Sequence, residues 1–121
     1  MKTAVIILGH GSRRQGAGDP LAGIAGAMRT TGRYAAAEHA FLQYTRPSLA
    51  DAVISCASLG ADRIIIIPFF VQPGTHVTTD IPELVEVLRR QHPGISFSVA
   101  GHVGGHPMMV NFVEELVRNA E

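Results

Sequence analysis

Two of the six histidines stand in settings that favour chemistry. His10 lies in Gly9-His10-Gly11-Ser12-Arg13-Arg14, directly after the apolar run Ala4 to Leu8. Flanking glycines let the backbone turn sharply and let a ligand approach closely. His76 lies in Phe69-Phe70-Val71-Gln72-Pro73-Gly74-Thr75-His76-Val77-Thr78-Thr79-Asp80, which reads as a long connection between a strand and a helix. Long ordered connections in small domains are often functional. Either histidine alone could be a loop residue satisfied by backbone groups, but as a pair they carry more. A neutral imidazole is the commonest protein ligand for late first-row metals. Two imidazoles from separate strand ends leave coordination positions open, as an enzyme that hands its metal on requires, whereas a structural site is closed by four protein ligands. No Cys–His cluster has zinc-finger spacing.

The other histidines carry less. His106, in Gly104-Gly105-His106-Pro107, suits an accessory role or a helix cap equally, and His102 is a weaker version of the same. His39 in mid-strand and His92 at a helix end read as structural. The glycine-rich first loop does not fit nucleotide phosphates: Arg14 occupies the last glycine position of a dinucleotide fingerprint, and the lysine of a P-loop is missing.

Positioning both histidines requires a particular frame. A short β-rich run followed by a segment of helical period recurs four times. Ala4–Leu8 leads to a helix opened by Asp19-Pro20, with Leu21, Ile24, Ala25 and Met28 on one face and Gly32 at its end. Tyr34–Leu42 leads to a helix opened by Pro47-Ser48, with Leu49, Ala52, Val53 and Cys56 on one side and Gly60 as the stop. Arg63–Phe70 holds four consecutive isoleucines, which predicts a central strand buried on both faces. A capping box at Asp80 and Glu83 then starts a helix with the stripe Ile81, Leu84, Val85 and Leu88. Ile95–Ala100 precedes a helix whose Met109, Phe112, Val113, Leu116 and Val117 are expected to face inward. Alternating strands and helices predict an α/β fold, a single domain over residues 1–121, with a four-stranded parallel sheet and helices on both faces. In the flavodoxin-like order 2-1-3-4, both histidines fall at the switch point where such sheets bind ligands.

The composition agrees. With 46% hydrophobic and 17% charged residues, the chain has a real core, and 121 residues fit one domain. Ten basic residues balance ten acidic ones, so neither nucleic acid nor an anionic membrane is an expected partner. Nine of the basic residues are Arg, the better bidentate partner for carboxylates. The single cysteine excludes an intrachain disulfide. No run has the length of a signal-peptide core or a membrane span, and the expected location is cytoplasmic.

Leu8-Gly9-His10-Gly11-Ser12-Arg13, the segment Pro68 to Pro82 and Gly105-His106-Pro107 resemble the signatures of the small class II sirohydrochlorin cobaltochelatases, the short CbiX type. Phe41-Leu42 and Pro47-Ser48 also match, so the resemblance spans essentially the whole chain. It implies insertion of a divalent metal, cobalt first with nickel or ferrous iron as alternatives, into a sirohydrochlorin-type tetrapyrrole for cobalamin or related cofactor synthesis, with no nucleotide. By the same resemblance His10 is metal ligand and proton acceptor, His76 is the second ligand, and Phe70, Val71, Gln72, Pro73, Gly74, Thr75 and Arg46 contact the macrocycle. Ser12 and Arg13 join them as donors to its carboxylates, with Arg14 a further candidate. The chain departs from the family at Gln43. Many members carry a carboxylate there, and a neutral amide cannot accept a pyrrole proton or add charge to a metal. Larger chelatases hold two such units facing each other, so a homodimer with the site between subunits is expected. The alternative is a non-catalytic metal-binding or metal-delivery module on the same fold.

Overall fold

The computed structural model describes residues 2–14, 16, 19–72 and 74–121, and the side chains of all of these except Asp19, Thr75, His76 and Val77. Its centre is β1 (Thr3–Gly9), flanked by β2 (Ala36–Phe41) and β3 (Arg63–Pro68), with β4 (Ser96–Val99) beyond β3. The order is β2-β1-β3-β4 and every pairing is parallel, as the alternating pattern predicts. β2, β3 and β4 are trimmed relative to the predicted runs, leaving Tyr34, Leu42, Phe69, Phe70, Ile95 and Ala100 outside them, whereas β1 extends one residue beyond its predicted run at each end.

Crossover direction decides which face each helix covers. The step from β1 to β2 runs opposite to the steps from β2 to β3 and β3 to β4, so right-handed connections place the first helix on one face and the next two on the other. Burial follows that division. On one face Ala4, Ile6, Leu8, Ile64 and Ile66 meet Leu49, Ala52, Val53 and Cys56 of α2 (Leu49–Ser58) and Ile81, Val85 and Leu88 of α3 (Thr75–Gln91). On the other, Val5, Ile7 and Phe41 meet Leu21 and Ala25 of α1 (Asp19–Arg29). The predicted apolar stripes of α1 and α2 are therefore both used, and Cys56 is a buried hydrophobe whose thiol is pushed up to about 12 by burial and by nearby Glu38.

Three expectations are corrected. The connection after β3 is shorter than predicted, because α3 begins at Thr75; Asp80 and Glu83 lie inside it and form no capping box. His76 accordingly belongs to the first turn of a helix. The isoleucine run of β3 alternates in burial: Ile64 and Ile66 are inaccessible, whereas Ile65 and Ile67 are only half-buried, because α1 packs on β1 and β2 and leaves the β3–β4 half of that face open. Finally, α4 (Met109–Ala120) buries none of its residues: of the stripe expected to face inward, Phe112, Val113, Leu116 and Val117 are exposed and Met109 is half-buried.

The start of α2 forms as its sequence dictates. Ser48 caps the helix: its hydroxyl accepts from the Asp51 N–H at 3.1 Å, and the Asp51 carboxylate accepts from the Ser48 N–H at 3.1 Å. This reciprocal pair satisfies backbone donors that the helix leaves unpaired. The Ser48 backbone N–H, then the Ser48 side chain, then Arg46 hold the Asp51 carboxyl below its ordinary value of 3.8. A depressed carboxyl contributes stability that is present above its unfolded value and lost as the pH falls through its folded one. Ser48→Ala should cost about 1 kcal/mol at neutral pH by denaturant melting. Asp51→Asn should flatten the loss of stability below pH 3.8; an unchanged acid limb would contradict the capping box.

Candidate active site

The parallel ladder between β1 and β2 continues past both strands. The Leu42 N–H donates to the Gly9 carbonyl at 3.0 Å, and the Gln43 N–H donates to the His10 carbonyl at 3.1 Å. Gly11 makes this possible: its φ of 99° lies in the left-handed region, and any Cβ there would collide with the Gln43 carbonyl. Beyond Gly11 the Ser12 N–H donates to Thr45 Oγ1 at 3.0 Å, and that hydroxyl donates back to the Ser12 carbonyl at 2.6 Å. The two loops at the carboxyl ends of β1 and β2 are thus zipped together.

The zipper fixes His10. Its Nδ1 lies 3.2 Å from Gln43 Nε2, and its ring stands edge-on to Phe70 with centroids 6.3 Å apart. With Nδ1 engaged, Nε2 is the nitrogen left for a ligand. His10, Leu42 and Gln43 form one side of a cavity of about 650 Å³, and Asp80, Glu83, Leu84 and Val87 of α3 form the other. Position 76 stands one helical turn before Asp80. Half-exposed apolar surface at Leu84 and Val87 therefore lies beside two carboxylates and faces an imidazole.

The remaining predicted residues distribute unevenly. Arg13 is exposed and stacks on Tyr44, its guanidinium carbon 4.5 Å from the ring centroid. Tyr44 itself has a φ of 66°, which turns its ring back toward the first loop. Ser12 accepts from the Arg14 N–H at 3.0 Å, so its hydroxyl shapes the loop. Arg46 is 88% exposed and pairs with Asp51 at 3.6 Å, a contact that solvent keeps weak and that a stronger anion can replace. Phe70 is buried and backs His10 from the core, whereas Val71, Gln72 and Gly74 are exposed. Pro73, and the side chains of Thr75 and His76, lie outside the described residues. His102 borders a separate cavity with Arg89 and Val99, and His106 Nδ1 accepts from the Met108 N–H, a helix-start role. Among the described residues no three His, Cys, Asp or Glu side chains converge as a metal site.

Comparison with known proteins identifies the family. The CbiX family model matches residues 4–120, nearly the whole chain. This chain belongs to the CbiX family. The chloroplastic sirohydrochlorin ferrochelatase of Arabidopsis thaliana is 31% identical over 115 residues, covering 95% of this chain and 51% of the relative. The sirohydrochlorin cobaltochelatase of Priestia megaterium is 32% identical over 113 residues, covering 93% and 37%. The chain therefore spans about half or less of these two relatives. The sirohydrochlorin chelatase SirB from Bacillus subtilis subspecies spizizenii, solved in complex with cobalt, superposes with a TM-score of 0.85 at 25% identity, over 98% of this chain and 51% of that one.

Within this CbiX frame, sequence reading missed the α3 wall of the cavity. Asp80 and Glu83 have capping-box spacing, which masked the i, i+3 pattern that turns both toward His10. Gln43 shows what an amide does beside the imidazole. Its oxygen can accept from Nδ1–H while Nε2 binds a cation, and its nitrogen can donate to a bare Nδ1 once Nε2 carries a proton; which way the amide points follows the ring's tautomer. A carboxylate supports only the first state. Gln43→Ala should weaken cobalt(II) binding roughly tenfold or more, the usual cost of losing an outer partner of a ligating histidine. Gln43→Glu should restore it. A cobalt titration followed by absorption checks both, and unchanged affinity in Gln43→Ala would contradict the contact.

Proposed function

We propose that this chain inserts a divalent metal, cobalt in the first instance, into a sirohydrochlorin-type tetrapyrrole. One observation carries the reading: His10, held by Gln43 at the carboxyl end of the central strand, shares a cavity with Asp80, Glu83, Leu84 and Val87 of α3, the helix whose first turn carries His76. The names and bound metal of the relatives support the same chemistry. The metal is substrate here, delivered from His10 and His76 to the macrocycle.

The steps follow from the residues. Leu42, Leu84 and Val87 give the macrocycle plane an apolar seat. Arg13 and Arg46, both exposed at the rim, meet its peripheral carboxylates, and Ser12 and the loop Val71–Thr75 border it. Once the cation leaves His10, the freed Nε2 accepts a pyrrole proton. Asp80 and Glu83 on the opposite wall take the second proton and favour approach of the cation. Imidazole ligands suit cobalt, nickel and ferrous iron alike, so the choice among them follows geometry and supply. This unit offers one wall of loops, and the Arabidopsis ferrochelatase and Bacillus subtilis SirB are about twice its length; we assign the second wall to a second copy in a homodimer.

The test is to incubate the protein with sirohydrochlorin and each metal in turn and follow the tetrapyrrole spectrum. His10→Ala and His76→Ala should each slow insertion by about two orders of magnitude or more, in line with the loss of a general base, while circular dichroism stays unchanged. Full insertion by either variant would overturn its assignment. Cobalt binding without any insertion by the unaltered protein would favour metal delivery over catalysis.

A further inference from the structure

Two tight turns meet beside the His10 cavity, and each presents one side chain at its apex. The Thr45 N–H donates to the Gln43 carbonyl at 2.8 Å, two residues back, with Tyr44 between them at a φ of 66°. That combination is a γ-turn of the strained hand, which is rare in proteins. Glycine or asparagine adopts a positive φ cheaply, whereas a bulky aromatic residue does not. The Tyr44 side chain is 61% exposed, so burial in the core does not offset the strain. Strained residues of this kind concentrate at functional sites, where their surroundings hold them in place.

Here the first loop does the holding. The Gln43 N–H is bonded to the His10 carbonyl, and the Thr45 hydroxyl is bonded to both backbone groups of Ser12, so Tyr44 is clamped on either side. Opposite it, the Arg14 N–H donates to Ser12 Oγ at 3.0 Å, which turns the backbone at Arg13. The two apices touch, with the Arg13 guanidinium carbon 4.5 Å from the Tyr44 ring centroid. Among the described residues Arg13 pairs with no carboxylate, whereas Arg29, Arg46, Arg89 and Arg118 each do. Contact with a ring face draws on the guanidinium charge and leaves its N–H fork for another anion. His10 and Gln43 line the cavity, and Arg13 and Tyr44 follow them closely in the chain, so this pair stands at its mouth.

We infer that Tyr44 is a positioning residue whose ring holds Arg13 ready as the main anchor for a carboxylate at the edge of the tetrapyrrole. The inference rests on the tetrapyrrole site proposed above and deepens it by ranking the two rim arginines. A free arginine side chain loses much rotamer freedom when it binds, and stacking on Tyr44 removes part of that freedom in advance. Arg46 starts from the opposite condition, since it must first leave Asp51. The strain at Tyr44 is what the folded chain sustains to keep the ring in reach of Arg13.

Titrating the metal-free protein with sirohydrochlorin, followed by the tetrapyrrole spectrum, gives a dissociation constant without turnover. Arg13→Ala should weaken binding about tenfold, the scale of losing a hydrogen-bonded charge, and Arg46→Ala should weaken it less. Tyr44→Asn introduces a side chain that tolerates a positive φ, and should weaken binding about three- to fivefold without lowering the thermal midpoint. Tyr44→Phe keeps the ring face and should hold the affinity within about twofold. In the Arg13→Ala background Tyr44→Asn should add less than about twofold, because the ring acts through the guanidinium. Unaltered affinity in Tyr44→Asn, an equal loss when Arg13 is already absent, or a loss accompanied by a fall in the thermal midpoint would each overturn the inference. If the unaltered protein binds no sirohydrochlorin, the tetrapyrrole reading fails and takes the pair with it. Binding with this variant pattern but no metal insertion would leave the pair standing and sink insertion alone.

Discussion

Two backbone hydrogen bonds, from Leu42 to Gly9 and from Gln43 to His10, carry the β1–β2 ladder beyond the point where the strands end. The rest of the site depends on them. A histidine on a free loop would sample many orientations, and ordering it on binding would cost entropy. Here the backbone on both sides of the ring is paired, the Gln43 side chain holds one ring nitrogen, and Phe70 closes the space behind it. Glycine at position 11 is the one residue whose backbone can turn there while Gln43 lies directly against it. The imidazole is thus set before any ligand arrives, as preorganised catalytic groups generally are.

The sheet explains why the cavity lies where it does. In the order β2-β1-β3-β4 the connections from β1 and β3 leave toward opposite faces, and a crevice opens between them at the carboxyl ends. The first loop supplies His10 and the middle of α3 supplies the facing wall. The same directional rule leaves one face short of a helix, so the incompleteness of the core and the position of the site share one topological origin.

Much of this was legible in the residues. Strict alternation of β-rich runs and helical periods gives the fold, and Gly9-His10-Gly11 and Thr75-His76-Val77 mark the histidine positions, because glycine spacing and apolar periodicity are local signals. What stayed hidden is tertiary. The four isoleucines of β3 promise burial on both faces, yet whether a helix covers Ile65 and Ile67 depends on where α1 packs, and no residue of β3 records that. Phe112 and Leu116 form a proper apolar stripe, but a stripe states only that something must cover it. Asp80 and Glu83 have the spacing of a cap, and only the earlier start of α3 at Thr75 turns them into a cavity wall. Tyr44 and Thr45, which brace the first loop from the second, carry no sequence signal, since their partners Arg13 and Ser12 lie more than thirty positions away.

The central claim is that His10 Nε2 receives the metal while Gln43 holds Nδ1. Anomalous diffraction at the cobalt edge from crystals soaked in cobalt(II) locates the ion directly. The account predicts a peak in the cavity between β1 and α3, about 2.1 Å from His10 Nε2, the usual distance for imidazole bound to such metals, with a second imidazole from His76. A peak at His102 or His106 with His10 unoccupied would contradict it.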